Sequence, residues 1–197
     1  MPLKNNQTDT ITFTKKAGIL IVDLIQNFVI ALAIYLLIFH FVFQPTQVIG
    51  ASMDPTLHDG GRVITDVITY RFRNPRRGDV ITFEYPLDPS QHFVKRIIAL
   101  PDEDVVLKDG HFYIYNKENP DGFLIHETYL PEDLITETGP RISENMRVRI
   151  PHDSYFVLGD NRKNSSDSRI WGFVPKKNIF GRAIFCYWPI VKVGIVK

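Results

Sequence analysis

The 197 residues carry a net charge of +1 and a hydrophobic fraction of 44%, ordinary for a globular chain and too balanced to draw it to nucleic acid or an anionic surface. The one cysteine, Cys186, excludes an internal disulfide; it sits in the apolar run Ile184 to Trp188 and reads as a small core residue. The length suits one domain of ordinary size plus an appendage.

The appendage comes first. Residues 28–43 read FVIALAIYLLIFHFVF, without Asp, Glu, Lys or Arg, and the apolar character reaches back past Asn27, Gln26 and Asp23 to Ala17. A helix from about Ile19 to Phe43 would run roughly 37 Å, enough to cross a bilayer with some tilt. Asp23, Gln26 and Asn27 share one face near its amino-terminal end, at headgroup level. A cleaved secretory signal would be shorter and would be followed by an Ala-x-Ala-like site, which is missing. Lys4, Lys15 and Lys16 precede the span, and no Lys or Arg follows it until Arg62. The expected division is therefore a cytoplasmic tail at 1–16, a transmembrane helix at 17–43 and an extracytoplasmic domain at 44–197.

After Pro45 the pattern turns to short β-branched and aromatic runs between turn residues. Val63–Tyr70, Asp79–Tyr85, Phe93–Leu100, Asp104–Lys108, Phe112–Tyr115, Tyr155–Leu158 and Ile179–Trp188 are the predicted strands. Asp109-Gly110 predicts a tight hairpin, since both residues accept positive φ. Asn116 to Asn145 is polar and weakly periodic, an excursion from the sheet with a short helical piece expected around Pro131–Ile135. The fold class is mainly β, an antiparallel β-domain behind one amino-terminal helix.

Three segments could carry chemistry. Gly50-Ala51-Ser52-Met53-Asp54-Pro55-Thr56-Leu57 follows the span, and its serine needs a base before it can attack anything. None of His40, His58, His92, His111, His126 or His152 stands in a recognisable triad order with a serine elbow. The second segment, His92 to Pro101, places Lys95 on a predicted strand with Phe93 and Ile97 on the same face. Such a lysine either snorkels or is buried; burial lowers its pKa and makes the neutral amine a base. The third, Gly159-Asp160-Asn161-Arg162-Lys163-Asn164-Ser165-Ser166-Asp167-Ser168-Arg169, is a dense polar loop. It makes a poor metal site, because only Asp160 and Asp167 are acidic among three basic residues.

Taken in this order, Ser-Met-x-Pro-Thr-Leu, Lys-Arg on a strand, and Gly-Asp-Asn-Arg-x-Asn-Ser-x-Asp-Ser-Arg-x-Trp-Gly resemble the type I signal peptidases. Gly78-Asp79-Val80-Ile81-Thr82-Phe83 and the preceding span fit as well, so the resemblance runs from about Phe28 to Pro189. It implies a membrane-anchored serine endopeptidase that removes signal peptides from exported proteins, with a β-fold shared with self-cleaving repressor proteases. Carried over, Ser52 is the nucleophile, Lys95 the general base and Ser165 the serine that orients the lysine. Asp167 and Arg169 hold the third loop, and Met53 packs beside the dyad. No cofactor or metal is implied, and no nucleic acid. The partners are the lipid bilayer and preproteins with small residues before the cut. Gly50 stands where some members carry a serine that helps the oxyanion hole. Ala99 and Asp102 replace two glycines usual after the lysine. The rival readings are a self-cleaving repressor, which would carry a DNA-binding domain in place of the span, and an inactive β-module that binds exported chains.

Overall fold

The computed structural model describes residues 6–196, so Lys4 and the first five residues of the predicted tail lie outside the described residues. Helix α1 spans Asn6–Val42 and begins well before the apolar run, because no Gly or Pro interrupts the sequence until Gly18. Its segment Gly18–Val42 is 25 residues long with a mean hydropathy of 2.3 and is exposed along its length, long and apolar enough by composition to cross a membrane. The chain divides into two compact units, the second from Phe43 to Lys197.

The second unit is built from antiparallel strands in two sheets. The strands are β1 (Phe43–Gln47), β2 (Arg62–Asp66), β3 (Val80–Tyr85), β4 (Asp88–Ala99), β5 (Asp104–Lys108), β6 (His111–Tyr115), β7 (Phe123–Leu124), β8 (Arg147–Arg149), β9 (Ser154–Leu158), β10 (Val174–Pro175), β11 (Ile179–Trp188) and β12 (Gly194–Ile195). The large sheet runs β1-β2-β11-β3-β4-β9-β10 with β12 on β11, and the small one runs β7-β6-β5-β8. Two helical turns, α2 (Thr69–Phe72) and α3 (Ser168–Trp171), complete the regular structure that bears on the site.

The predicted strands form, with shifted edges. The run expected at Val63–Tyr70 stops at Asp66, whose carboxylate accepts the Ile68 and Thr69 amides at 3.0 and 2.9 Å and turns the chain into α2. Strand β4 starts at Asp88, five residues earlier than expected. Pro89 is tolerated there because β9 pairs β4 only from Arg96 to Ala99, leaving the other edge open. Asp109 and Gly110 have φ of 51° and 76°, as a two-residue hairpin between Lys108 and His111 needs. No helix forms at Pro131–Ile135, only one turn closed by the Leu134 amide on the Pro131 carbonyl at 3.1 Å. Five residues without a packing face do not repay helix nucleation. Phe43, expected at the end of the span, instead opens β1 and pairs with Asp66.

Three apolar clusters hold these layers. Ile98, Val105, Leu107, Phe112, Ile114, Phe156 and Leu158 join the two sheets. Met53, Leu57, Val48 and Val63 pack with Val80, Ala183 and Cys186, anchoring the segment after β1 to the large sheet. Ile81, Phe83, Ile97, Tyr155, Val157 and Trp171 form the third. Antiparallel β-structure behind one amino-terminal apolar helix is thus the architecture of the chain.

Candidate active site

The segment after β1 leaves the sheet at Val48 and makes a tight pass through Gly50, whose φ of +86° favours glycine. The Gly50 amide donates to Asp59 Oδ1 at 2.7 Å, tying this pass to the segment before β2. The next turn is fixed by the Leu57 amide on the Met53 carbonyl at 2.8 Å, and both side chains are fully buried. Two buried anchors therefore hold Ser52, which is only partly covered, at the lip of a cleft of about 700 Å³. Val48, Ile49, Phe93, Val94 and Phe180 supply its apolar wall.

Lys95 enters this cleft from β4, paired with Ile81 of β3. It is 4% exposed, and its Nζ donates to Ser52 Oγ at 2.7 Å and to the Val94 carbonyl at 3.1 Å. Burial pulls the amine down to about 8, against the opposing attraction of Asp167 and Asp160. Ser52 Oγ is thus met by a desolvated amine and by no histidine among the described residues. His58 pairs with Asp54 and His152 with Asp102, while His92 lies exposed at the cleft rim.

The third segment closes the site from behind. β9 pairs with β4 up to Leu158 opposite Arg96, so the chain leaves the sheet one residue from Lys95. Asp160 then takes Arg96 in a bidentate pair at 2.8 and 2.7 Å, both side chains nearly devoid of solvent. Asn161 grips the backbone around Ser52: its amide donates to the Ser52 carbonyl and its side chain to the Ala51 carbonyl, each at 3.0 Å. A Cβ on Gly159 would lie 2.4 Å from the Ser52 carbonyl oxygen and 2.2 Å from Ser165 Oγ, so only glycine lets the two segments meet. Asp167 caps α3 and holds Arg169 at 2.9 Å through both oxygens, while its Oδ2 also accepts the Gly159 amide at 3.2 Å.

One expected contact is not made. Ser165 Oγ is buried without a hydrogen-bond partner among the described residues; it lies against Gly159, where a Cβ would otherwise be, and the Val94 carbonyl takes the second place on the lysine. Asp102 adopts φ of +64°, the left-handed conformation for which glycine is the easy choice and Asp a tolerated one, and Ala99 is buried at the end of β4. Arg96, Asp160, Asn161, Gly159 and Asp59 hold the site together without a role that local sequence assigns them. The run Gly159-Asp160-Asn161 at the start of the third motif is the sequence signal for three of them. Among the described residues, no three His, Cys, Asp or Glu side chains converge as metal ligands would.

A family model described as signal peptidase, peptidase S26, matches residues 21–188. A probable signal peptidase I-2 of Synechocystis is 38% identical over 162 residues, covering 79% of this chain and 68% of the relative. A signal peptidase I of Bacillus amyloliquefaciens is 35% identical over 189 residues, covering 93% of this chain and 96% of that protein. Among solved structures, a signal peptidase I from Enterococcus faecalis is 31% identical, with a TM-score of 0.44, over 56% of this chain and 97% of the other.

Proposed function

The chain belongs to the signal peptidase family, peptidase S26, and from that membership and the geometry at Ser52 we propose that it cuts signal peptides from exported preproteins with a serine–lysine dyad. The observation that carries the reading is the 2.7 Å contact between Ser52 Oγ and an amine that burial has made a usable base. The neutral Lys95 amine takes the hydroxyl proton as Oγ attacks the scissile carbonyl. The backbone amide of Ser52 faces the oxygen that becomes negative. The ammonium so formed then protonates the departing amine, leaving an acyl-enzyme. Lys95, neutral again, draws a proton from the water that attacks the acyl-enzyme and returns it to Ser52 Oγ as the acid product leaves. Asp167 and Arg169 keep the third segment seated and Met53 anchors the nucleophile's turn; Ser165, whose buried hydroxyl makes no hydrogen bond among the described residues, orients the amine only by turning to it during the reaction.

The apolar wall of the cleft suits small side chains before the cut, as the family resemblance implies. The helix over Gly18–Val42 spans the bilayer, with the amino terminus cytoplasmic and Phe43 onward outside, because Lys15 and Lys16 lie on one side of it and no cation lies on the other until Arg62. Detergent-purified protein should release product from a peptide with an Ala-x-Ala site, and Ser52→Ala should abolish release. Cleavage that survives Ser52→Ala would refute the proposal.

A further inference from the structure

The excursion between β6 and β8 has no part in the dyad, yet three of its side chains, Glu127, Tyr129 and Thr136, reach arginines of the site. Arg162, 3% exposed, donates from Nη1 to Glu127 Oε2 at 2.8 Å and to Thr136 Oγ1 at 2.9 Å, and from Nη2 to Glu127 Oε1. Its Nε donates to the Gly159 carbonyl at 3.1 Å, and Gly159 is the residue wedged against the Ser52 backbone. The Tyr129 hydroxyl donates to Glu127, and its ring covers the Arg96 guanidinium at 3.7 Å. Arg96 is the residue after Lys95 and holds Asp160. Two side chains from one segment thus grip both halves of the site: the strand that carries the base and the loop that holds the nucleophile.

We propose that Glu127 and Tyr129 are positioning residues for the cleavage reaction, clamping Arg162 and Arg96 so that the Gly159–Arg169 loop keeps Ser52 in line with Lys95. The inference rests on the Ser52–Lys95 reading. A guanidinium stripped of its counter-charge in a buried site seeks other acceptors, and here that movement would be passed to Gly159. Neither residue lines the cleft, so substrate affinity should be spared.

The test uses the full chain in detergent with an Ala-x-Ala peptide, measuring kcat, KM and the melting temperature. Glu127→Gln and Tyr129→Leu should each lower kcat about tenfold with KM within about twofold, since errors under an ångström cost less than the hundredfold of a full one. Tyr129→Phe keeps the ring over Arg96 and should hold kcat near the wild-type value. Glu127→Gln combined with Arg162→Gln should lose no more than Arg162→Gln alone, because one contact is being removed twice. Wild-type kcat in both Glu127→Gln and Tyr129→Leu, with only a lower melting temperature, would overturn the clamp, as would losses that multiply in the double variant. Ser52→Ala runs alongside. Its inactivity shows that a wild-type-like clamp variant speaks against the clamp alone; its activity would bring down the dyad and the clamp together.

Discussion

In the proposed dyad Lys95 is the base, and its burial has consequences that can be measured. With the amine pulled down to about 8, the protonated form cannot act as base below that pH. The cleavage rate kcat/KM should therefore rise about tenfold per unit below pH 8 and level off above it; a profile flat from pH 6 to 9 would exclude the amine as base. Lys95→Arg should be as inactive as Lys95→Ala, because arginine keeps its proton at any working pH. The same burial costs stability. From about 8 to the ordinary 10.5 the unfolded chain binds a proton that the folded one lacks, so stability rises with pH in that window and the full cost applies below it. Lys95→Met should thus melt higher than wild type at pH 7, by an amount on the order of 3 kcal/mol at most, with the gap closing above pH 10. Asp167 behaves in the opposite sense. It is fully buried and paired with Arg169, so Asp167→Ala leaves a cation without its partner and should cost about 3–5 kcal/mol, seen as a lower melting temperature along with lost cleavage. Ser165 has no partner to lose; Ser165→Ala should leave melting unchanged or slightly raised while slowing cleavage, and full activity would remove Ser165 from the site.

At the level of elements, the site depends on how closely two loops approach. The end of β9 and the turn after β1 meet at Gly159, where a methyl group would strike the Ser52 carbonyl oxygen at 2.4 Å. Backbone cannot yield as a side-chain tip does, so Gly159→Ala should part the loops and lower kcat by on the order of a hundredfold. Gly181 plays the same part inside the sheet, with its missing Cβ 2.3 Å from the Asp66 carbonyl oxygen. Gly181→Ala should push β11 off β2 and show first in the melting curve, since β11 is the central link between β2 and β3. Boundaries are legible where an apolar, β-branched or aromatic run lies between turn residues: β5 and β11 have the ends that their composition predicts. They are not legible at β1, β7, β8, β10 and β12, which are short or hold proline and pair only because a longer strand offers them an edge.

For the molecule as a whole, the proposed topology puts everything after the helix on one side of a bilayer. Protease added outside spheroplasts should digest residues beyond Phe43 and leave the amino-terminal end intact; the reverse pattern would invert the orientation. All three apolar clusters lie within Phe43–Lys197, so a chain starting at Phe43 should melt cooperatively and still cut a soluble peptide. What the sequence determines by itself is whatever is written in neighbouring residues: the apolar helix, the β-class of the remainder, the Asp109-Gly110 hairpin, and the residue types of the proposed serine–lysine site in motif order. What only the tertiary structure decides is which of those residues touch. The register of β4 between β3 and β9 sets Lys95 on Ser52 and Arg96 on Asp160, leaves Ser165 without a partner, and brings Glu127 and Tyr129 from a featureless stretch onto two arginines. Such contacts span 33 to 64 residues of chain, and no local propensity carries them; they follow from strand pairing and from a close-packed core.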